Sequence, residues 1–370
     1  MREAAFYTRE GEVVTCGLCP RRCRLKEGAR GFCRVRRNLE GRLYATSYAE
    51  CTSFAVDPTE KKPLYHFYPG STLLSLGTVR CNLACAFCQN WTISQADAPT
   101  QTVEPREAVA MAVSQRRRDP SCVGLAFTYS EPTIWFEYVM DTARLARTQG
   151  LKNVLVTNGY INPEPLEQLL KVVDAMNIDV KAFTAEFYRN LCHGELEPVL
   201  DTVARAKSAG CHVEVTNLLI PGLNDSPEEV EALTDWLGSL GREIPLHFSR
   251  YFPHHRLALE PTPVETLERA RSQAKKKLYY VYVGNVWGGR GSDTHCYRCG
   301  ALVIRRSGFT VRAVGLKPPE PARGEGPAQG EKATQGDGPA RGEGPAEDAL
   351  PACAACGAPI HIVGRAMAGG

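Results

Sequence analysis

The chain has 370 residues, enough for one large α/β domain with small appendages, and its 43% hydrophobic and 23% charged shares are ordinary for a globular protein. A net charge of +3 neither favours nor excludes an anionic partner. There is no 18-residue apolar run to span a membrane, and the charged N-terminus lacks the apolar region of a signal peptide, so a cytoplasmic protein is expected.

Fifteen cysteines need a reason. Eleven fall into three tight groups whose spacings read as metal sites in a reducing compartment, not as a disulfide framework. Cys51, Cys122, Cys192 and Cys211 stand alone and read as small buried hydrophobes. The first group, Cys16, Cys19, Cys23 and Cys33, forms a small loop-built knuckle within an N-terminal segment, 1–60. Four thiolates there suit zinc and a second iron–sulfur cluster equally. Residues 16–37 also carry eight Arg/Lys against one Glu, which reads as a solvated basic face. Without interleaved aromatics, nucleic-acid binding is not expected. Prolines and paired lysines break up residues 57–71, which read as a loop, with His66 packed and hydrogen-bonded.

From residue 61 to 290 strands and helices alternate. Strands are expected at 73–79, 122–128, 153–157, 176–180, 212–220, 245–252 and 278–286, with helices at 105–118, 133–148, 163–173, 184–208, 226–240 and 262–273. Continuous apolar strands separated by helices predict a parallel sheet covered by helices, that is, a partial or full (βα) barrel. Functional residues then belong at the C-terminal strand ends. The sequence supplies them: LGTVRCNLACAFCQNW (76–91) after the first strand, TYSEP (128–132) after the second, TNGY (157–160), DVK (179–181), TNLLIPGLND (216–225) and HFSRYFPHH (247–255) after the next four. Cys81, Cys85 and Cys88 form a CxxxCxxC loop, and the next cysteine lies 34 residues on, inside a strand. Three thiolates without a fourth suit a [4Fe–4S] cube with one iron open to a small molecule.

Beyond residue 291, Cys296, Cys299, Cys353 and Cys356 form two CxxCG knuckles of a zinc-ribbon-like module, with ALVIRRSGFTVRAVG as its hairpin. The intervening 317–350 segment repeats GEGPA or GDGPA three times and is too poor in bulky apolar residues to order itself.

CxxxCxxC on the first loop of such a barrel resembles the radical S-adenosylmethionine enzymes, in particular the pyruvate formate-lyase activating type. AFTYSEPTIW, EKKPLYHFYPG, CNLACAFCQNW, the N-terminal CxLCPRxC and the C-terminal CxxCG pair resemble the radical enzyme of the AmmeMemoRadiSam system. The resemblance covers 1–316 and 351–364. It implies a [4Fe–4S] cluster on Cys81, Cys85 and Cys88 whose open iron holds the methionyl group of S-adenosylmethionine. It implies reductive cleavage to a 5′-deoxyadenosyl radical that takes hydrogen from a substrate. Phe87 would lie against the adenine, and Ser130 and Glu131 stand where the family holds the methionine ammonium, though the family's glycines are missing. Thr157, Asn158, Asp179 and Lys181 would lie at the carboxylate and ribose, and Val156 replaces an aspartate that in the activating enzymes helps bind a monovalent cation. A salt bridge between Asp179 and Lys181 is the structural alternative. Asn217, His247 and Arg250 are further pocket candidates. An electron donor such as flavodoxin or ferredoxin, and AMMECR-type and Memo-type companions, follow as implied partners. The competing readings are a glycyl-radical-enzyme activase and an inactive metal-binding interaction protein.

Overall fold

The computed structural model describes residues 1–286, 291–318 and 350–364. Apart from its ends, the 317–350 insertion lies outside the described residues. The centre is one eight-stranded sheet, comprising β1 (Ser53–Pro58), β2 (Thr72–Gly77), β3 (Cys122–Thr128), β4 (Lys152–Thr157), β5 (Ala175–Asp179), β6 (His212–Leu219), β7 (Leu246–Arg250) and β8 (Val281–Gly284). These strands lie side by side in sequence order. β2 to β8 are parallel, and β1 pairs antiparallel with β2. The chain is thus an α/β protein with a mixed, barrel-like sheet. β1 and β8 are its two edges, with no pairing between them among the described residues.

The longer helices are α1 (Pro105–Arg118), α2 (Phe136–Thr148), α3 (Pro163–Leu170), α4 (Glu197–Ser208), α5 (Pro227–Leu240) and α6 (Val264–Ala274). Their ends follow local chemistry. Glu104 and Glu107 form a reciprocal capping box ahead of α1, which carries Pro105 at its start and Arg116, Arg117 and Arg118 in its last turn. The Ser226 hydroxyl accepts the Glu229 N–H at the start of α5. The helix expected over 184–208 is broken: a π-turn, Tyr188–Cys192, ends at left-handed His193 before α4 begins.

β1 was not expected. The sheet therefore begins inside the 1–60 segment, and Phe54 and Val56 on this edge strand are exposed. The N-terminal cysteines sit among two small antiparallel sheets, so the segment is more than a loop-built knuckle. A buried ion pair fastens it to the barrel: Arg36 Nη1 lies 2.7 Å from Glu137 Oε1, and Arg36 Nη2 donates to Ile134 O. At the other end, strands β9 (Leu302–Ser307) and β10 (Thr310–Ala313) form the expected hairpin of the ribbon. The ribbon has its own small core around Val303, Ile304, Val311, Ile360 and Ile362. Its last segment binds the loop before β2, with Val363 N donating to His66 O and Tyr68 N to Val363 O. Arg306, 4% exposed, plugs in beside it and donates to Tyr65 O at 2.7 Å.

Candidate functional site

Parallel strands point their C-terminal ends to one side, and alternate residues there face the interior. The ends of β2 to β7, with the loop after β2, enclose a cavity of about 440 Å³. Cys81, Cys85 and Cys88 line it with Phe87, Ser130, Glu131, Thr157, Asn158, Asp179 and Lys181. Ten of the residues picked from the strand ends and the cysteine loop therefore meet in one place. All three cysteines are free. Burial raises the Cys81 and Cys88 thiols above the ordinary range, and the Cys192 thiol beside Cys85, together with burial, raises that one. Thiols held protonated in this way release their protons when a cation binds them.

The loop is gripped on two sides. Ala84 N and Ala86 N donate to Cys192 O and Leu191 O of the π-turn. On the other side, Asn158 Nδ2 donates to Cys81 Sγ at 3.3 Å and to Asn82 Oδ1 at 2.9 Å, and Asn82 Nδ2 donates to Tyr160 O. Gly159, at φ +68°, makes this turn possible: a Cβ there would stand 2.9 Å from Ile178 Cγ2. Ser94 Oγ lies 3.2 Å from Cys88 Sγ.

The polar residues differ in what they have left to offer. Glu131 accepts from Thr133 N and Thr157 Oγ1 on Oε1 and from Asn158 N on Oε2, so it joins the ends of β3 and β4. Burial raises its carboxyl above the usual range. Asp179 and Lys181 form the salt bridge, at 2.6 Å, while both face the cavity. Burial opposes the Lys181 charge, but the Asp179 carboxylate overrides it and holds the ammonium well above its ordinary pKa. Ser130 Oγ is buried and has no hydrogen-bond partner among the described residues. It stands on the cavity wall, free to bond a molecule placed there.

Asn217 is a correction: Thr216 and Leu218 line the cavity, whereas Asn217 points to the opposite face and donates to Val180 O. Arg250 is also outside the lining, with Nε donating to Thr262 O. His247 lines a second cavity of about 830 Å³ that shares Lys61, Gln89, Thr216 and Ser249 with the first. Its Nε2 lies 2.6 Å from Glu214 Oε2, and that buried carboxylate also accepts from Tyr65 N and His66 N. His66 is packed as expected, fully buried, with Nε2 2.6 Å from the Tyr282 hydroxyl; burial lowers its pKa to about 3.

The sequence reading overlooked Lys61 and Lys62, which line the first cavity from the loop before β2. Asp57 accepts from Lys61 Nζ, Lys62 Nζ and the Tyr129 hydroxyl. Their signals in the sequence are the lysine pair itself and its place in the EKKPLYHFYPG stretch. Cys192 was also missed as a neighbour of Cys85, since its isolation in sequence hides it.

In the ribbon, the sulfurs of Cys296, Cys299, Cys353 and Cys356 all lie within 4.8 Å of one another, a metal-binding cluster. No described helix is long and apolar enough to cross a membrane.

Comparison with known proteins adds to this geometry. Residues 75–237 match the model of the Radical SAM superfamily. The chain is 47% identical over 323 residues to an uncharacterized protein of Methanocaldococcus jannaschii, covering 85% of this chain and 95% of that one. It is 22% identical over 210 residues to the pyruvate formate-lyase 1-activating enzyme of Escherichia coli, covering 52% and 83%. A solved structure of a radical SAM methyltransferase from Sphaerobacter thermophilus is 18% identical, with a TM-score of 0.47, over 64% of this chain and 71% of that one.

Proposed function

We propose, from the premise that this chain belongs to the radical SAM superfamily of enzymes, that Cys81, Cys85 and Cys88 hold a [4Fe–4S] cluster and that the adjoining 440 Å³ cavity takes S-adenosylmethionine. The observation that carries this reading is the meeting of three free thiols with the polar ends of the neighbouring strands around one cavity, whose lining does not include the buried Cys192 beside Cys85. The donor set fits the group: thiolates suit iron–sulfur clusters, and the volume falls within the ~300–1,000 Å³ of small-molecule sites. The partnerless Ser130 Oγ offers a hydrogen bond to a bound molecule. When bound, the cluster and S-adenosylmethionine together supply reductive cleavage to methionine and a 5′-deoxyadenosyl radical, which abstracts hydrogen from a substrate.

The protein's share is positioning. Asn158 and the π-turn fix the cysteine loop, and Phe87, 3% exposed, gives the cavity an apolar wall. The Lys181 ammonium and the Asp179 carboxylate would meet opposite charges on the cofactor, and Glu131, on the same cavity wall, holds the ends of β3 and β4 together. The 830 Å³ cavity next door is where the substrate is presented, walled by His247 and by Arg306 and Phe309 of the ribbon. That enclosure favours modification of a small molecule or an extended segment over activation of a folded partner enzyme. Within the superfamily we assign the chain to the AmmeMemoRadiSam type, with AMMECR-type and Memo-type companions and a flavodoxin or ferredoxin as electron donor. The ribbon is assigned zinc, which four thiolates at single-ion spacing suit. Anaerobic reconstitution and reduction should yield 5′-deoxyadenosine from S-adenosylmethionine. Iron-loaded, reduced protein that makes none would overturn the reading.

A further inference from the structure

The proposed reaction leaves four cysteines near the N-terminus without a task. Cys16, Cys19, Cys23 and Cys33 line one small cavity, together with Arg36 and Asn82. Their separation distinguishes two kinds of metal site. A tetrahedral zinc ion with bonds of about 2.3 Å draws its sulfurs to about 3.8 Å of one another. The ribbon meets that requirement, with 3.6 Å between Cys296 Sγ and Cys356 Sγ and 3.7 Å between Cys299 Sγ and Cys353 Sγ. Among the described residues, the ribbon is the one set of three or more such ligands gathered within 4.8 Å. No three of the N-terminal thiols lie within that distance of one another, and neither do Cys81, Cys85 and Cys88. A cube that gives each thiolate its own corner iron needs that spread.

A second observation points to a sulfur-rich ligand in this cavity. Arg36, 1% exposed and on the cavity wall, has an Nε that is buried without a hydrogen-bond partner among the described residues. A bound cluster, with inorganic sulfides beside the cysteine thiolates, supplies sulfur acceptors for it. Cys23 Sγ already accepts from Phe32 N at 3.4 Å.

The cavity also adjoins the cysteine loop of the barrel. Asn82 lines it and is the next residue after Cys81. Asn82 O accepts from Arg21 Nε at 2.6 Å, and its side chain is the one that Asn158 ties to Cys81. Leu18 O and Gly17 O accept from Asn162, which follows β4. Cys16 and Leu18 share one apolar core with Leu83 and Cys85.

We propose that Cys16, Cys19, Cys23 and Cys33 hold a second iron–sulfur cluster, which passes electrons one at a time to the cluster at Cys81, Cys85 and Cys88. An external low-potential, one-electron carrier reduces the N-terminal cluster by one electron. That cluster is reoxidised as the barrel cluster is reduced, and no bond or proton changes hands. The relay rests on the proposed function; the identity of the second cluster does not.

The test is iron and zinc content, with electron paramagnetic resonance after dithionite reduction, on the full chain reconstituted anaerobically. Wild type should hold about eight irons, two cubes' worth, and about one zinc. The triple variant Cys81→Ala, Cys85→Ala, Cys88→Ala should keep about four irons and a reduced signal that S-adenosylmethionine leaves in place. The Cys19→Ala, Cys33→Ala variant should keep the other four, with a signal that S-adenosylmethionine moves. The wild-type spectrum should show magnetic coupling absent from the sum of the two. A triple variant with no iron and a second zinc overturns the cluster, and a wild-type spectrum equal to that sum overturns the relay. If S-adenosylmethionine moves no signal in any protein while the triple variant keeps its iron, the proposed function fails and the second cluster stands. If the N-terminal variant does not fold, metal content of the triple variant alone decides.

Discussion

The cysteine loop of the barrel and the cysteines of the ribbon use the same side chain to opposite ends. Cys296, Cys299, Cys353 and Cys356 close on one another within 4.8 Å and face a small core of their own. Four thiolates at that distance complete the coordination of one ion and leave nothing for a ligand. Cys81, Cys85 and Cys88 number three, are not gathered within that distance, and open onto a cavity whose walls carry a salt bridge, an aromatic ring and a hydroxyl without a partner among the described residues. Under the proposed function, closure gives the ribbon a structural site and incompleteness beside a cavity gives the barrel a reactive one.

The comparison breaks first at Cys85. Cys85→Ala should remove the barrel cluster's iron, leave the ribbon's zinc in place, and lower 5′-deoxyadenosine formation by at least about a thousandfold, because the group that performs the chemistry is gone. Metal analysis and product detection check it, and production that survives would place the reaction elsewhere. Arg306→Ala should act on stability. Its guanidinium lies 3.5 Å from Glu60 Oε1 in a buried setting, and removing it leaves an uncompensated carboxylate at a cost of about 3–5 kcal/mol, read from denaturant unfolding. A loss within experimental error would mean that the ribbon is not keyed to the barrel there.

The pH dependence of unfolding should sharpen the same junction. His66 bridges the barrel and the ribbon's last segment, with Nδ1 2.6 Å from His361 O. Its folded pKa, lowered to about 3 by burial, lies below the ordinary value, so the unfolded chain binds the extra proton first. This stability is therefore complete above about pH 6.5 and is lost as pH falls towards 3, by about 2 kcal/mol between pH 7 and 5. His66→Gln should flatten that part of the profile; an unchanged slope would assign it to another group. The smallest effect is expected from Ser130→Ala. Loss of one hydrogen bond should weaken S-adenosylmethionine binding by about 3–10-fold with iron content unchanged, as measured by equilibrium binding. Unaltered affinity would mean that the hydroxyl does not meet the ligand.

Much of this arrangement was legible in the sequence because strand ends in a parallel sheet converge. Ser130, Asn158, Asp179 and Lys181 could be picked from the residues that follow apolar runs, and they share one cavity. Alternation along β6 also distinguishes Asn217 from Thr216 and Leu218, so its outward placement was within reach of the sequence. Lys61, Lys62, Asn82 and Cys192 were not legible in that way. Each arrives from a loop or a π-turn whose path is set by tertiary packing, and no periodicity marks such segments. β1 escaped for a related reason: an edge strand with Phe54 and Val56 turned outward does not show the burial pattern of a central one.

The proposed cluster on Cys81, Cys85 and Cys88 leaves one iron open for a ligand. The direct measurement is hyperfine coupling between the reduced cluster and S-adenosylmethionine isotopically labelled at its amino nitrogen and carboxylate oxygens. Couplings from both labels, lost in Cys85→Ala and kept when Cys353→Ser has removed the ribbon's zinc, are the predicted result. A fully iron-loaded, reduced protein that binds the labelled compound and shows neither coupling would contradict it.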